Sequence, residues 1–220
     1  LNKERKITAI EPQKRNKKRR SIFLDGEYAF GLDEELVLKY HLHEGDLIDE
    51  DEFLNLIQDD LKKLARDRSF RIIGYRARSE NELRDKLCAT GLDEETINWT
   101  IEDLKQKKIL SDEQFVLAFV HDKMLTHPIG PLAIKQELKR KGIADDLIEL
   151  AIEEAFREKS QQEVAADLVK KRQPSLKNEN RMKARKKLAD FLYRRGFGWD
   201  VIGAVLDQQE PEWPDDGIFD

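Results

Sequence analysis

The chain has 220 residues, 39% charged and 39% hydrophobic, with a formal net charge of −5. That supplies apolar material for thin helical layers but not for one large core. The single cysteine excludes a disulfide framework and a cysteine-based zinc site, and no apolar run approaches the roughly 20 residues of a membrane span.

The first 50 residues read as a small antiparallel β unit. Lys6-Ile7-Thr8-Ala9-Ile10 carries β-branched alternation up to Pro12, as a short strand does. Ser21-Ile22-Phe23-Leu24 and Glu27-Tyr28-Ala29-Phe30 flank Asp25-Gly26, the pair that supplies the positive φ angles of a tight type I′ hairpin. Gln13 to Arg20 forms a basic loop, and a short helix runs from Asp33 as N-cap to about Tyr40. Gly45-Asp46 closes a unit of three predicted strands.

From about Asp51 the apolar spacing changes from two to three-and-four, starting with Leu54, Ile57, Leu61 and Leu64 and continuing through Ile72 and Tyr75. No further strand signal follows. Ser79-Glu80-Asn81-Glu82, Ser111-Asp112-Glu113-Gln114 and Ser160-Gln161-Gln162-Glu163 fit the S-x-x-E/Q capping box at helix starts. Gly130-Pro131 marks another start, with proline at the first helical position.

An internal repeat emerges on alignment at Gly91, Gly142 and Gly196. Eight and four residues earlier stand Leu83/Leu87, Ile134/Leu138 and Leu188/Leu192; one residue later come Leu92, Ile143 and Phe197. Six and ten residues later come Ile97/Ile101, Ile148/Ile152 and Ile202/Leu206. Residues four apart share a helix face, the glycine takes a left-handed cap, and the following residue packs back on the helix. With the preceding helix included, each unit is a three-helix module of about 50 residues, too small to stand alone and expected to stack on its neighbours. The expected fold is mainly all-α, a tandem array of three such repeats behind a small antiparallel β-hairpin extension. The expected divisions are the extension at 1–50, modules at 51–109, 110–158 and 159–209, and an acidic tail at 210–220. No heptad seam is visible, so a monomer is expected.

Charge is sorted along the chain. Residues 1–20 hold nine Lys/Arg against two acids, 44–60 eight acids and no base, 170–196 eleven bases against two acids, and 207–220 six acids and no base. Such segregation suggests faces of opposite sign, each able to recruit a partner or simply to stay solvated. The N-terminal bases are not followed by an apolar signal core, so a soluble protein of a reducing compartment, the cytoplasm, is expected. Leu1 stands without a preceding methionine, as in a sequence short of a few native residues.

No catalytic constellation, metal site or cofactor site is found. His41 and His43 lack further ligands at helical spacing, His121 and His127 lie six apart, and Cys88 within an amphipathic helix reads as a small packing residue. The carboxylates at 49–52 lack the glycine-centred calcium loop, and Gly196-Phe197-Gly198 lacks the strand and Gly-Lys-Ser/Thr of a phosphate loop. The bases are more informative. Arg76 and Arg78 flank the entry to the first module's second helix, while Lys139-Arg140-Lys141 and Arg194-Arg195 precede two cap glycines. One cation per helix end answers the helix dipole; two or three adjacent ones point further, to phosphate or to an acidic protein surface. Lys183, Arg185, Lys186 and Lys187 add a stripe. Tyr75, Phe119, Tyr193 and Trp199 could stack on bases, but they fall mostly at core-like positions and are expected to pack.

Several motifs resemble those of the RecX family. Tyr75-Arg76-Ala77-Arg78-Ser79-Glu80-Asn81-Glu82-Leu83 is similar to its Y-R-x-R-S-x-x-E-L, and Leu110 to Val120 to its L-x-D-x-x-F-A-x-x-[FY]-V, with Val116 in place of the alanine. Gly130-Pro131 through Gly142-Ile143 resembles G-P-x-x-I-x-x-E-L-x-x-K-G-I, and Phe191 to Phe197 resembles F-L-x-R-R-G-F. The likeness covers about residues 60–206, in the family's order, and the β-rich start resembles the extended Gram-positive form. Ala89-Thr90 stands before Gly91 where the other modules carry bases, so that cap should contribute less charge.

The resemblance implies a non-enzymatic regulator that binds within the groove, or at the end, of the RecA–DNA filament and suppresses RecA's ATPase, strand exchange and coprotease role. Arg76, Arg78, Arg140, Lys141, Arg194 and Arg195, with Lys186 and Lys187 as the phosphate-facing group, are the expected contacts to RecA and to single- or double-stranded DNA. Two other readings compete: a stand-alone DNA-binding helical repeat, and a protein scaffold without nucleic-acid affinity. Against sequence-specific DNA reading, the helices after Gly91 and Gly142 open on Asp93-Glu94-Glu95 and Asp145-Asp146, which repel phosphate.

Overall fold

A computed structural model describes residues 4–176 and 179–208; the expected acidic tail lies outside them. Backbone contacts divide the described residues into two units, one within 1–76 and 83–109, the other within 77–82 and 110–220.

The first unit begins with strands β1 (Arg5–Pro12), β2 (Arg19–Leu24) and β3 (Glu27–Asp33), followed by helix α1 (Glu34–Lys39). Asp25 and Gly26 have φ of 54° and 88°, so the β2–β3 hairpin turns as its sequence requires. Alternation places Ile22, Leu24, Phe30 and Leu32 in the core. The sheet has four strands, not three, in the order β3-β2-β1-β4 and all antiparallel. Strand β4 (Leu47–Ile48) pairs with Arg5 and Lys6 of β1. Two residues are too few to show a period, so pairing with β1 defines this strand.

Helix α2 (Glu50–Tyr75) starts one residue earlier than expected because Asp49 and Glu52 form a reciprocal capping box. Its inward stripe also differs from the apolar pattern: Leu56, Asp60, Ala65 and Ser69 are buried, whereas Leu54 and Tyr75 face solvent. Partners make that polar face tolerable. Arg19 Nη2 and Nη1 donate to the two Asp60 oxygens at 2.6 and 3.2 Å, and Asp33 N donates to Asp60 Oδ1 at 2.9 Å. The Ser69 hydroxyl donates to the Ala65 carbonyl at 2.8 Å. A hydropathy pattern reads only side-chain polarity and misses a carboxylate whose partners come from another element. Helix α4 (Glu94–Gln106), capped by Asp93, packs against α2.

Helix α3 (Glu80–Cys88) completes the first module, its first turn grouping with the second unit. That unit contains α5 (Asp112–Thr126), α6 (Pro131–Arg140), α7 (Asp145–Ala155), α8 (Gln161–Arg172), a short 3-10 helix (Gln173–Leu176), α9 (Arg181–Arg194) and α10 (Trp199–Gln208). Helix α7 packs on α5 and α6, and α10 on α8 and α9, so each module closes a core of its own. Of the fifteen repeat positions, thirteen are buried, including Leu83, Leu87, Ile97, Ile134, Leu138, Ile148, Leu188, Leu192 and Ile202; Leu92 and Ile152 are half-buried. The three glycines have φ of 77°, 75° and 84°, which confirms their place as left-handed caps. Ser160 forms the expected capping box with Glu163, and the Ser79 and Ser111 hydroxyls accept from Glu82 N and Gln114 N.

Candidate functional site

Four of the expected contact residues, Arg140, Lys141, Arg194 and Arg195, stand at the cap loops, where a second regularity appears. Each cap loop of the second unit is seated on the start of the preceding module's second helix. The Ser79 hydroxyl donates to the Lys141 carbonyl at 2.7 Å. One module later, Gly130 N donates to the Arg195 carbonyl at 2.7 Å and Leu132 N to the Gly196 carbonyl at 3.0 Å. Ser79 and Gly130 both stand twelve residues before their module's glycine, so the two joints occupy equivalent places, one made by a side-chain hydroxyl and the other by two backbone N–H groups. In the second joint unpaired backbone donors of a helix start meet unpaired acceptors of a helix end, which satisfies both; in the first the serine hydroxyl takes the place of the backbone donors. The fit is close: a Cβ on Gly196 would lie 2.3 Å from Ala133 N, and one on Gly142 would lie 2.5 Å from Asn81 Cβ.

This construction splits the adjacent cations. Lys141 turns inward, its Nζ donating to Glu82 at 2.9 Å and lying 5.6 and 5.8 Å from the Phe115 and Phe119 ring centroids. Arg195 does the same, with Nη1 donating to the Pro128 carbonyl at 3.0 Å and its guanidinium 5.2 Å from the Phe191 ring. Their neighbours Arg140 and Arg194 are exposed, and neither has an ion-pair partner among the described residues. On α9, Lys186 and Lys187 are exposed; Lys187 pairs with Glu179 and holds that carboxyl below its ordinary range. Arg76 is exposed in extended backbone at the end of α2, in the first unit. Arg78 is half-buried in the second, with its Nε enclosed and lacking a hydrogen-bond acceptor.

Lys139, in the last turn of α6, reaches across the cap to Asp145 at 3.0 Å and lowers the pKa of that carboxyl by a hydrogen bond. At the corresponding places around Gly196, three residues before and three after, stand Tyr193 and Trp199. These rings are stacked at 5.2 Å with an interplanar angle of 23°. They are 54% and 61% exposed, and Tyr75 is 86% exposed, so the expected packing role fails for all three and stands for Phe119 alone. A ring that staples the outside of a turn has the same helical spacing as a core ring, which is why periodicity misplaced it. Cys88, expected to pack, is exposed as well. Among the described residues no group of three or more His, Cys, Asp or Glu could hold a metal, and no helix is long and apolar enough to cross a membrane.

Comparisons with known proteins agree with this architecture. The model of the regulatory protein RecX N-terminal domain matches residues 5–49, and those of the first, second and third RecX three-helix domains match 65–104, 111–152 and 159–206. The chain is 35% identical over 214 residues to the regulatory protein RecX of Bacillus licheniformis, covering 96% of this chain and 80% of that protein. It is 33% identical over 203 residues to that of Clostridium botulinum (strain Eklund 17B / Type B), covering 91% and 94%. A crystal structure of regulatory protein RecX superposes with a TM-score of 0.72 at 28% identity, covering 92% of this chain and 99% of that one. RecX from Lactobacillus salivarius shares the fold, with a TM-score of 0.63 at 24% identity over 70% of this chain and 99% of that one. Four family models in chain order, together with relatives matched over most of their length, establish that the chain belongs to the RecX family of regulatory proteins.

Proposed function

We propose that this protein binds the RecA–DNA filament, in its groove or at its end, and lowers RecA's ATPase, strand-exchange and coprotease activities. The supporting observation is the pair of joints at equivalent repeat positions. Each holds one cation inside and leaves the neighbouring one, Arg140 or Arg194, exposed two residues before the cap glycine. Lys186, Lys187, Arg76 and Arg78 extend the electrostatic contact to RecA carboxylates and DNA phosphates, while Lys141 and Arg195 anchor the loops that display it. No bond is made or broken, so the protein acts as a binding regulator, a monomer in the cytoplasm where RecA and DNA meet.

The test is the single-strand-dependent ATPase of the cognate RecA with this protein added well below RecA's concentration. Strong inhibition is expected, because one regulator acting on a filament affects many subunits. Reversing Arg140 and Arg194 to glutamate should weaken it at least tenfold, in line with charge-dependent contacts. Absence of inhibition at equal concentrations, on DNA that the protein demonstrably binds, would favour a stand-alone DNA-binding repeat.

A further inference from the structure

The Tyr193–Trp199 stack occupies a position at which the other modules use no aromatic residue. Three residues before and after the glycine, module 2 has Lys139 and Asp145, joined by an ion pair at 3.0 Å, and module 1 has Cys88 and Glu94. The same turn is therefore closed by a polar pair in module 2, and its geometry does not demand rings. Two large rings that are more than half exposed leave apolar π-surface in water, where the hydrophobic effect opposes it. Exposed cations stand near them in sequence. Arg194 adjoins Tyr193, and Lys186 lies seven residues earlier on the same side of α9, about 10 Å along the axis. Neither cation has an ion-pair partner among the described residues; Asp190 and Asp200 are the acids nearest in sequence.

We infer that Tyr193 and Trp199 form a base-stacking platform for single-stranded nucleic acid, with Arg194 and Lys186 holding the phosphates on either side. The inference rests on the DNA contact proposed above and adds to it the part of the ligand that is read, an unpaired base. Stacking rings beside cations is the arrangement by which proteins hold single strands without sequence preference. A duplex keeps its base faces stacked on one another, so only an unstacked base can extend the pair.

The experiment measures binding of the full chain to labelled oligo(dT) and to an abasic oligomer of equal length, at two salt concentrations. Trp199→Ala removes one ring, and the double variant Tyr193→Lys/Trp199→Asp installs the module 2 staple in place of the stack, which keeps the turn closed. Both variants should lose about five- to hundredfold in oligo(dT) affinity. Trp199→Ala should bind the abasic oligomer within about twofold of the parent and keep its salt slope, whereas Arg194→Ala should reduce that slope by about one. Parental oligo(dT) affinity in both variants, an equal loss on both oligomers, or no oligo(dT) binding by the parent would each overturn the platform. So would variants that keep oligo(dT) affinity but no longer inhibit RecA, since the rings would then touch protein. The parent's effect on the RecA ATPase decides the regulatory reading separately, so the two can fail independently.

Discussion

Gly196→Ala and Gly91→Ala apply the same chemical change at equivalent repeat positions, yet the structure predicts unequal costs. Both residues are left-handed, at φ of 84° and 77°, so each alanine carries a backbone penalty of about 1–2 kcal/mol. A Cβ on Gly91 meets nothing within 4 Å, and the cost ends there. On Gly196 it would stand 2.3 Å from Ala133 N and 2.5 Å from Ala133 Cβ. Backbone at a helix start cannot rotate away as the end of a side chain can. The joint must open instead, which gives up the hydrogen bonds from Gly130 N and Leu132 N, each worth about 1 kcal/mol. Gly196→Ala should therefore cost about 3–4 kcal/mol. In a chain of this size that lowers the thermal midpoint by roughly 10 °C, against about 3–5 °C for Gly91→Ala. Circular dichroism melts of the three proteins measure the difference. Equal falls would refute the seated-loop account and leave the glycines as ordinary helix caps.

Four further outcomes are expected. Asp60→Leu takes away the carboxylate partner of Arg19, leaving its guanidinium only the Gly31 carbonyl in a partly buried place, and should cost about 3 kcal/mol in urea unfolding, most of it recovered when Arg19→Met is added. Lys141→Ala should lower stability by about 1–3 kcal/mol, while Arg140→Ala should stay within about 0.5 kcal/mol of the parent; equal effects would contradict the inward and outward assignment. Hydrogen bonds from Thr96 hold the Asp93 carboxyl below its ordinary 3.8, so its cap stabilises the native state above that value and loses its effect as pH falls through the depressed native pKa. Asp93→Asn should accordingly soften the acid-side fall of the melting temperature and leave the profile between about pH 6 and 9 parallel to the parent's. Cys88, exposed at the end of α3, should react completely with a thiol reagent in native buffer, without denaturant.

The parts of the fold legible in the sequence are those whose cause lies within a few residues. Asp25-Gly26 specifies its own turn, and the pairs four apart around Gly91, Gly142 and Gly196 specify buried helix faces and a left-handed cap. Strand β4 was not legible because its two residues become a strand only by pairing with β1. The start of α2 is locally encoded in Asp49 and Glu52, as an aspartate version of the serine capping box. Buried Asp60 was hidden because its partners, Arg19 and Asp33 N, lie 41 and 27 residues away.

The candidate surface was harder to read for a geometric reason. Successive residues on a helix point about 100° apart, so adjacent cations at a helix end cannot all face one ligand. In Arg140-Lys141 and Arg194-Arg195 the second residue is also the one whose carbonyl receives the neighbouring module. Its side chain finds Glu82 in one case and the Pro128 carbonyl in the other. A run of charge therefore overstates the charge offered to a partner, and counting bases in 170–196 gives only an upper bound to that face. The converse holds for the rings. Tyr193 and Trp199 have the spacing of core residues, but each lies on the outer side of the turn that the glycine makes, where the corresponding module 2 residues are a lysine and an aspartate. Comparing equivalent positions across repeats exposes the difference. A position that is polar in one module and aromatic in the next cannot be needed for the shared core, so its chemistry is free to serve a ligand.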